Sequence, residues 1–122
     1  MEFKNQKAIY LQIADWVCDQ ILQGRYGEDD KLPSVRECAA EVEVNVNTVA
    51  RTFEWLQLHG VVQARRGMGN YVAPGAATTI EAIRKEEFFH DQLPAIFREM
   101  HTLGITLEEV EREYRNFQTS PS

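Results

Sequence analysis

Apolar residues recur at helical spacing near the start of the chain. Tyr10, Ile13, Ala14, Val17 and Ile21 share one stripe, which predicts an amphipathic helix over residues 8–23 with Gly24 as its stop. The polar stretch RYGEDDKLP (25–33) suits a turn, and its Lys31-Leu32 end can add one short strand. Ser34 and Glu37 then have S-x-x-E spacing, a capping box in which each side chain satisfies the other residue's backbone donor. Val35, Cys38, Ala39 and Val42 form the predicted buried side of this helix, and Arg36 projects from a different face. A tight turn, Glu43-Val44-Asn45, follows, with Val44 as the apolar plug between two helices and Asn45 as N-cap. The helix it opens, over 46–59, has Val49, Phe53 and Leu56 inward, Trp55 beside them, and Gly60 as its stop.

The pattern then shifts. Residues 61–66 (VVQARR) and 70–73 (NYVA) are short and β-prone, with Gly67-Met68-Gly69 between them, a hairpin with a glycine-bearing tip. Pro74-Gly75-Ala76-Ala77 reads as a linker, dividing the chain into 1–75 and 76–122. Beyond it, Thr78 and Glu81 have capping-box spacing, and Ile80, Ile83, Phe89, Leu93, Ile96, Phe97 and Met100 recur at roughly helical intervals. Pro94 should kink or split this region. Gly104 ends it. Thr106 and Glu109 open a last helix with Leu107, Val110, Tyr114 and Phe117 on one side, and Gln118–Ser122 should fray. The expected fold is mainly α with a small β-wing: a winged helix-turn-helix followed by a short C-terminal helical segment.

Bulk properties narrow the picture only slightly. The 122 residues suffice for one small domain and an appendage. No apolar run reaches membrane-spanning length, and MEFKNQKAIY lacks a secretory core, so a cytoplasmic location is expected. Cys18 and Cys38 lie on predicted helices without metal or redox spacing, as buried thiols do. The net charge of −6 argues against polyanions as partners. It is unevenly distributed: residues 77–122 carry five basic and nine acidic residues, whereas residues 31–75 carry five basic and four acidic. The charge on a docking face matters more than the total.

The helix-turn-helix order points to duplex DNA, whose major groove admits a helix. Asn47, Thr48 and Arg51 lie at the exposed start of the second helix. Asn can pair with adenine, Thr can touch a thymine methyl, and Arg can reach guanine or phosphate. Arg36 and the N–H groups near Ser34 can hold phosphates. Asn45 sits beside them, although capping alone accounts for it. Arg65, Arg66, Gly67 and Gly69 suit the minor groove or flanking backbone, where arginine meets negative potential and glycine lets the main chain approach. Each feature has an ordinary structural explanation when taken singly, and it is their order and spacing that point to DNA. Elsewhere, Glu87, His90 and His101 are too few for a metal site. Phe88, Phe89 and Phe97 are better explained by packing than by a ligand pocket. No residue arrangement implies catalysis or a cofactor.

LPSVREC…VNVNTVARTFEWLQLHGVV…RRGMGNYV, together with IYLQIADWVCDQILQG, resembles the DNA-binding domain of GntR-family bacterial transcription regulators over residues 8–73. The short helical tail resembles the YtrA-like subfamily. The resemblance implies a homodimeric regulator, a repressor in the first instance, acting on an inverted-repeat operator. Arg36, Asn47, Thr48, Arg51 and Arg65 to Gly69 would carry DNA contact. Ile83, Phe89, Leu93, Ile96, Phe97, Met100, Leu107, Val110 and Tyr114 would carry dimerisation. Three positions depart from the family: Glu43 stands where glycine is common, Val46 where many relatives have proline, and Ala50 where other branches place arginine. Two other readings stand beside this one: a winged-helix module that binds protein, which the acidic charge favours, and a regulator whose tail holds a small-molecule effector.

Overall fold

The computed structural model describes residues 7–120; the first six residues and the last two of the tail expected to fray lie outside them. Contacts gather the chain into two compact units, one ending at Ala82 and the other beginning at Ile83.

In the first unit, α1 (Ile9–Leu22) and α2 (Val35–Val42) both pack on α3 (Val46–Leu58). Four of the five stripe residues, Ile13, Ala14, Val17 and Ile21, are buried in a core that also holds Val49, Phe53 and Leu56, whereas Tyr10 is only half-buried. Val35 is only half-buried, so α2 contributes Cys38, Ala39 and Val42. Both cysteines are buried, and neither is in a disulfide. Burial, with Glu41 nearby, pushes the Cys38 thiol up to about 11, so it stays protonated at neutral pH.

Among the described residues one core side chain is polar, that of Thr52. It is fully buried on α3, and its hydroxyl donates to the Tyr10 carbonyl of α1 at 2.7 Å, with the Thr48 carbonyl at 3.3 Å. Those bonds offset the cost of burying a hydroxyl.

The Ser34–Glu37 capping box is complete, each backbone N–H meeting the other side chain. Hydrogen bonds from Ser34 hold Glu37 below the usual carboxylate range, and Thr106 does the same for Glu109. A carboxylate with a depressed pKa stabilises the fold above its unfolded value, and that contribution fades as pH falls through the folded value.

The α2–α3 turn keeps its left-handed geometry despite lacking glycine. Glu43 sits at φ 57°, ψ 48°, donating its N–H to the Ala39 carbonyl. A left-handed residue with a Cβ costs roughly 1–2 kcal/mol, while glycine loses roughly 0.5–1 kcal/mol more backbone entropy on folding. Glu43→Gly should therefore stabilise the protein by about 0.5–1 kcal/mol in urea unfolding. A destabilised variant would mean that the Glu43 side chain makes a compensating interaction.

The wing is an antiparallel pair, β1 (Val62–Arg65) and β2 (Gly69–Val72), with Gln63 opposite Tyr71 and Arg65 opposite Gly69. Gly69 thus belongs to the strand, and the tip is Arg66-Gly67-Met68, closed by the Met68 N–H on the Arg65 carbonyl. Val61 and Val62 are both buried, so strict alternation does not hold there. Lys31-Leu32 does not form the expected strand: Lys31 makes an isolated bridge to Tyr71, and the Leu32 N–H reaches the Asn70 carbonyl at 2.8 Å.

Helix α4 (Ala76–Glu87) starts before Thr78, so the expected Thr78–Glu81 box does not form. Ala76 and Ile80 are buried, and the Gly75 N–H donates to the Glu28 carboxylate at 2.6 Å. Packing and a distant carboxylate set this helix start, so Pro74-Gly75-Ala76-Ala77 is not a free linker. By contacts, the first compact unit runs on to Ala82.

In the second unit, Pro94 does not break the helical path. A π-helical turn, Phe88–Gln92, leads into α5 (Leu93–Leu103), and the Leu93 N–H bonds the Phe88 carbonyl. The widened turn takes up the proline, which lacks a donor and crowds the preceding turn. Gly104 ends α5, and the Thr106–Glu109 box opens α6 (Leu107–Thr119), which stays helical into the stretch expected to fray.

Candidate nucleic-acid interface

Three elements bring the predicted contact residues to the surface of the first unit. Ser34 and Arg36 are exposed at the start of α2. Asn45, Asn47 and Arg51 are exposed at the start of α3, where Thr48 is half-buried. Arg66, Gly67 and Gly69 are exposed on the wing, and Arg65 is half-buried.

Two of these residues are committed to the fold. Asn45 Oδ1 accepts the Asn47 N–H at 2.7 Å, which makes it a helix cap. The Ser34 hydroxyl is used in its capping box. Asn47, Thr48 and Arg51 remain as the outward-facing side chains of α3. Ala50 is half-buried, so the neighbouring Arg51 supplies the exposed cation of this turn.

Arg51 is not extended freely into solvent. Its guanidinium carbon lies 4.0 Å from the centroid of the Tyr10 ring. A cation over an aromatic face at that range is held there electrostatically.

The two wing arginines behave differently. Arg65 Nη2 donates to Asp29 Oδ1 at 2.8 Å, and the guanidinium stacks 4.0 Å from the Tyr71 ring centroid. Arg66, at the tip, is exposed with no ion pair among the described residues. The wing base is tied further by Gln57 of α3, whose Nε2 donates to Asn70 Oδ1 at 2.8 Å. Gly69 is required where it stands: its φ is +103°, and an added Cβ would sit 3.3 Å from Lys31 Cε.

This division has a measurable consequence. Arg66→Ala should reduce the salt slope of DNA binding by about 1, as expected on losing one phosphate contact. Arg65→Ala should leave the slope nearly unchanged and loosen the wing base instead. Equal slope changes from both substitutions would mean that Arg65 leaves Asp29 to meet phosphate.

Sequence reasoning missed Asp29, Tyr71, Gln57 and Tyr10 as partners of the interface. None of the four carries a local signal that ties it to Arg51 or to the wing: each partner lies on a different element or loop.

A helix-turn-helix with a two-stranded wing, the start of its second helix and its glycine-bearing tip both exposed, is the class of module that docks on duplex DNA. The model for bacterial regulatory proteins of the gntR family matches residues 9–72, and the chain belongs to this family of DNA-binding transcription regulators. It is 36% identical over 116 residues to the HTH-type transcriptional regulator YhcF of Bacillus subtilis (strain 168), covering 95% of this chain and 94% of that one. It is 33% identical over 107 residues to the HTH-type transcriptional repressor YtrA of the same organism, covering 88% and 82%. A solved GntR-family transcriptional regulator from Bacteroides thetaiotaomicron is similar at 46% identity and a TM-score of 0.84, covering 93% of this chain and all of that one. All three relatives carry the names of transcription regulators. Among the described residues no helix is long and apolar enough to cross a membrane.

Proposed function

We propose that the protein is a homodimeric transcription repressor that binds an inverted-repeat operator. Arg36, Asn47, Thr48 and Arg51 face the major groove and its phosphates, while Arg66 and Gly67 meet the minor groove or flanking backbone. The observation that carries this reading is the exposure of Asn47 and Arg51 at the start of α3, together with an exposed Arg66 at the wing tip that makes no ion pair among the described residues. The similarity to the repressor YtrA supports the sign of regulation.

The second unit is the dimerisation element in this reading. None of Ile83, Phe89, Leu93, Ile96, Phe97, Met100, Leu107, Val110 and Tyr114 is buried in the single chain. Phe89 is 61% exposed, Leu107 70% and Tyr114 59%. So much apolar side chain on one small unit exceeds what a solvated monomer ordinarily shows, and a second copy would cover it.

Selecting bound duplexes from a random pool tests the proposal. The expected product is an inverted repeat whose half-site centres lie about one helical turn apart, roughly 34 Å, or a multiple of it. Enrichment of single, unpaired half-sites would overturn the dimeric reading. No enrichment over random duplex would overturn specific binding.

A further inference from the structure

We infer that Tyr10, on α1, is a positioning residue for Arg51: its ring is the shelf that holds the guanidinium ready at the DNA-facing start of α3. The inference rests on the proposed role of Arg51 in DNA contact. Two independent observations fix the shelf. The Arg51 guanidinium lies over the Tyr10 ring at 4.0 Å. The Tyr10 backbone is anchored to the same stretch of α3, because the buried Thr52 hydroxyl donates to the Tyr10 carbonyl at 2.7 Å. Thr52 follows Arg51 directly, so one residue of α3 locks the backbone of α1 and its neighbour lies on the side chain.

The physical consequence is preorganisation. A free arginine loses side-chain entropy when it docks on a base or phosphate. Stacking on a ring leaves the edge of the guanidinium, with its N–H donors, directed away from the ring face. Part of that entropy is then lost on folding, before DNA arrives. The ring also removes no hydrogen-bonding capacity from the arginine, unlike the Asp29 carboxylate that engages Arg65. One arginine is held by a ring and stays available for DNA, and the other is held by an acid and serves the wing.

The test is a double-substitution cycle in the full chain, read by fluorescence anisotropy on the selected operator and on a scrambled duplex. Tyr10→Leu should weaken operator binding about two- to fivefold, the size of a cation–π contact at an exposed site. Tyr10→Phe should retain affinity. In an Arg51→Ala background, Tyr10→Leu should change nothing further. Phenylalanines of increasing fluorination at position 10 keep the ring shape and drain its face, so affinity should fall stepwise with fluorine count; this series keeps the test sound where Leu disturbs the fold. An equal loss from Tyr10→Leu with and without Arg51, or a flat fluorination series, overturns the inference while leaving Arg51 as a DNA contact. Unchanged operator affinity in Arg51→Ala alone overturns the reading on which it rests, and the positioning role with it.

Discussion

A chain ending at Ala82 should fold, remain monomeric, and bind the operator about 10²- to 10⁴-fold more weakly than the full protein. The magnitude comes from linkage of two binding events. In a dimer, docking of one α3 places the second at an effective concentration in the millimolar range, whereas a monomer must bind each half-site independently. The end point of the truncation matters. Cutting after Gly75 would remove Ala76 and Ile80, both buried in the first unit, and leave the core exposed where Ile80 sits. A cut after Ala82 keeps both, along with the Gly75–Glu28 hydrogen bond. Loss of affinity would then report lost pairing and not a damaged fold. Sedimentation should give monomer, and circular dichroism should show the first unit's helices intact. A dimer in sedimentation would remove the second unit from the pairing role, and undiminished operator binding would remove the need for pairing.

What the residues disclosed in advance, and what they did not, divides by the range of the interaction. The boxes at Ser34–Glu37 and Thr106–Glu109 need only a few consecutive residues, and both formed. Thr78 and Glu81 have the same spacing and form none, because burial of Ala76 and Ile80 and the Glu28 carboxylate, 47 positions before Gly75, start that helix earlier. Local spacing can propose a cap, but tertiary contacts decide where the helix begins. Pro94 shows the same limit. Its missing donor was legible, but whether the helix would break or widen depends on which carbonyl takes the next N–H.

The interface follows the same rule. Exposure of Asn47 and Arg51 could be read from helical periodicity. The different fates of Arg65 and Arg66 could not, because the partner that separates them, Asp29, lies 36 positions earlier in a loop with no periodic pattern. Thr52 escaped notice as core because a hydroxyl reads as surface until a buried acceptor is found for it. Glu43 is the converse case. Its departure from the family's usual glycine pointed to strain, and the strain is present, held in place by packing of α2 and α3 on either side.

Arg51→Ala should weaken operator binding by about 1–3 kcal/mol, roughly 5- to 150-fold, if this residue reads a base. Three features single it out. It is the exposed cation near the start of α3, whereas the adjacent Ala50 offers none. Its guanidinium is already localised by Tyr10. It makes no ion pair among the described residues, so no carboxylate competes with DNA for it, as Asp29 does for Arg65. Comparing operator with scrambled duplex separates the two chemical roles. A loss confined to the operator means a base contact, because a wrong base leaves the arginine's donors unmatched and the mutant has nothing further to lose there. Equal loss on both duplexes, with a salt slope reduced by about 1, means a phosphate contact. In that outcome the base contacts on α3 fall to Asn47 and Thr48, and Asn47→Ala should then carry the loss of discrimination, most strongly at an A·T pair.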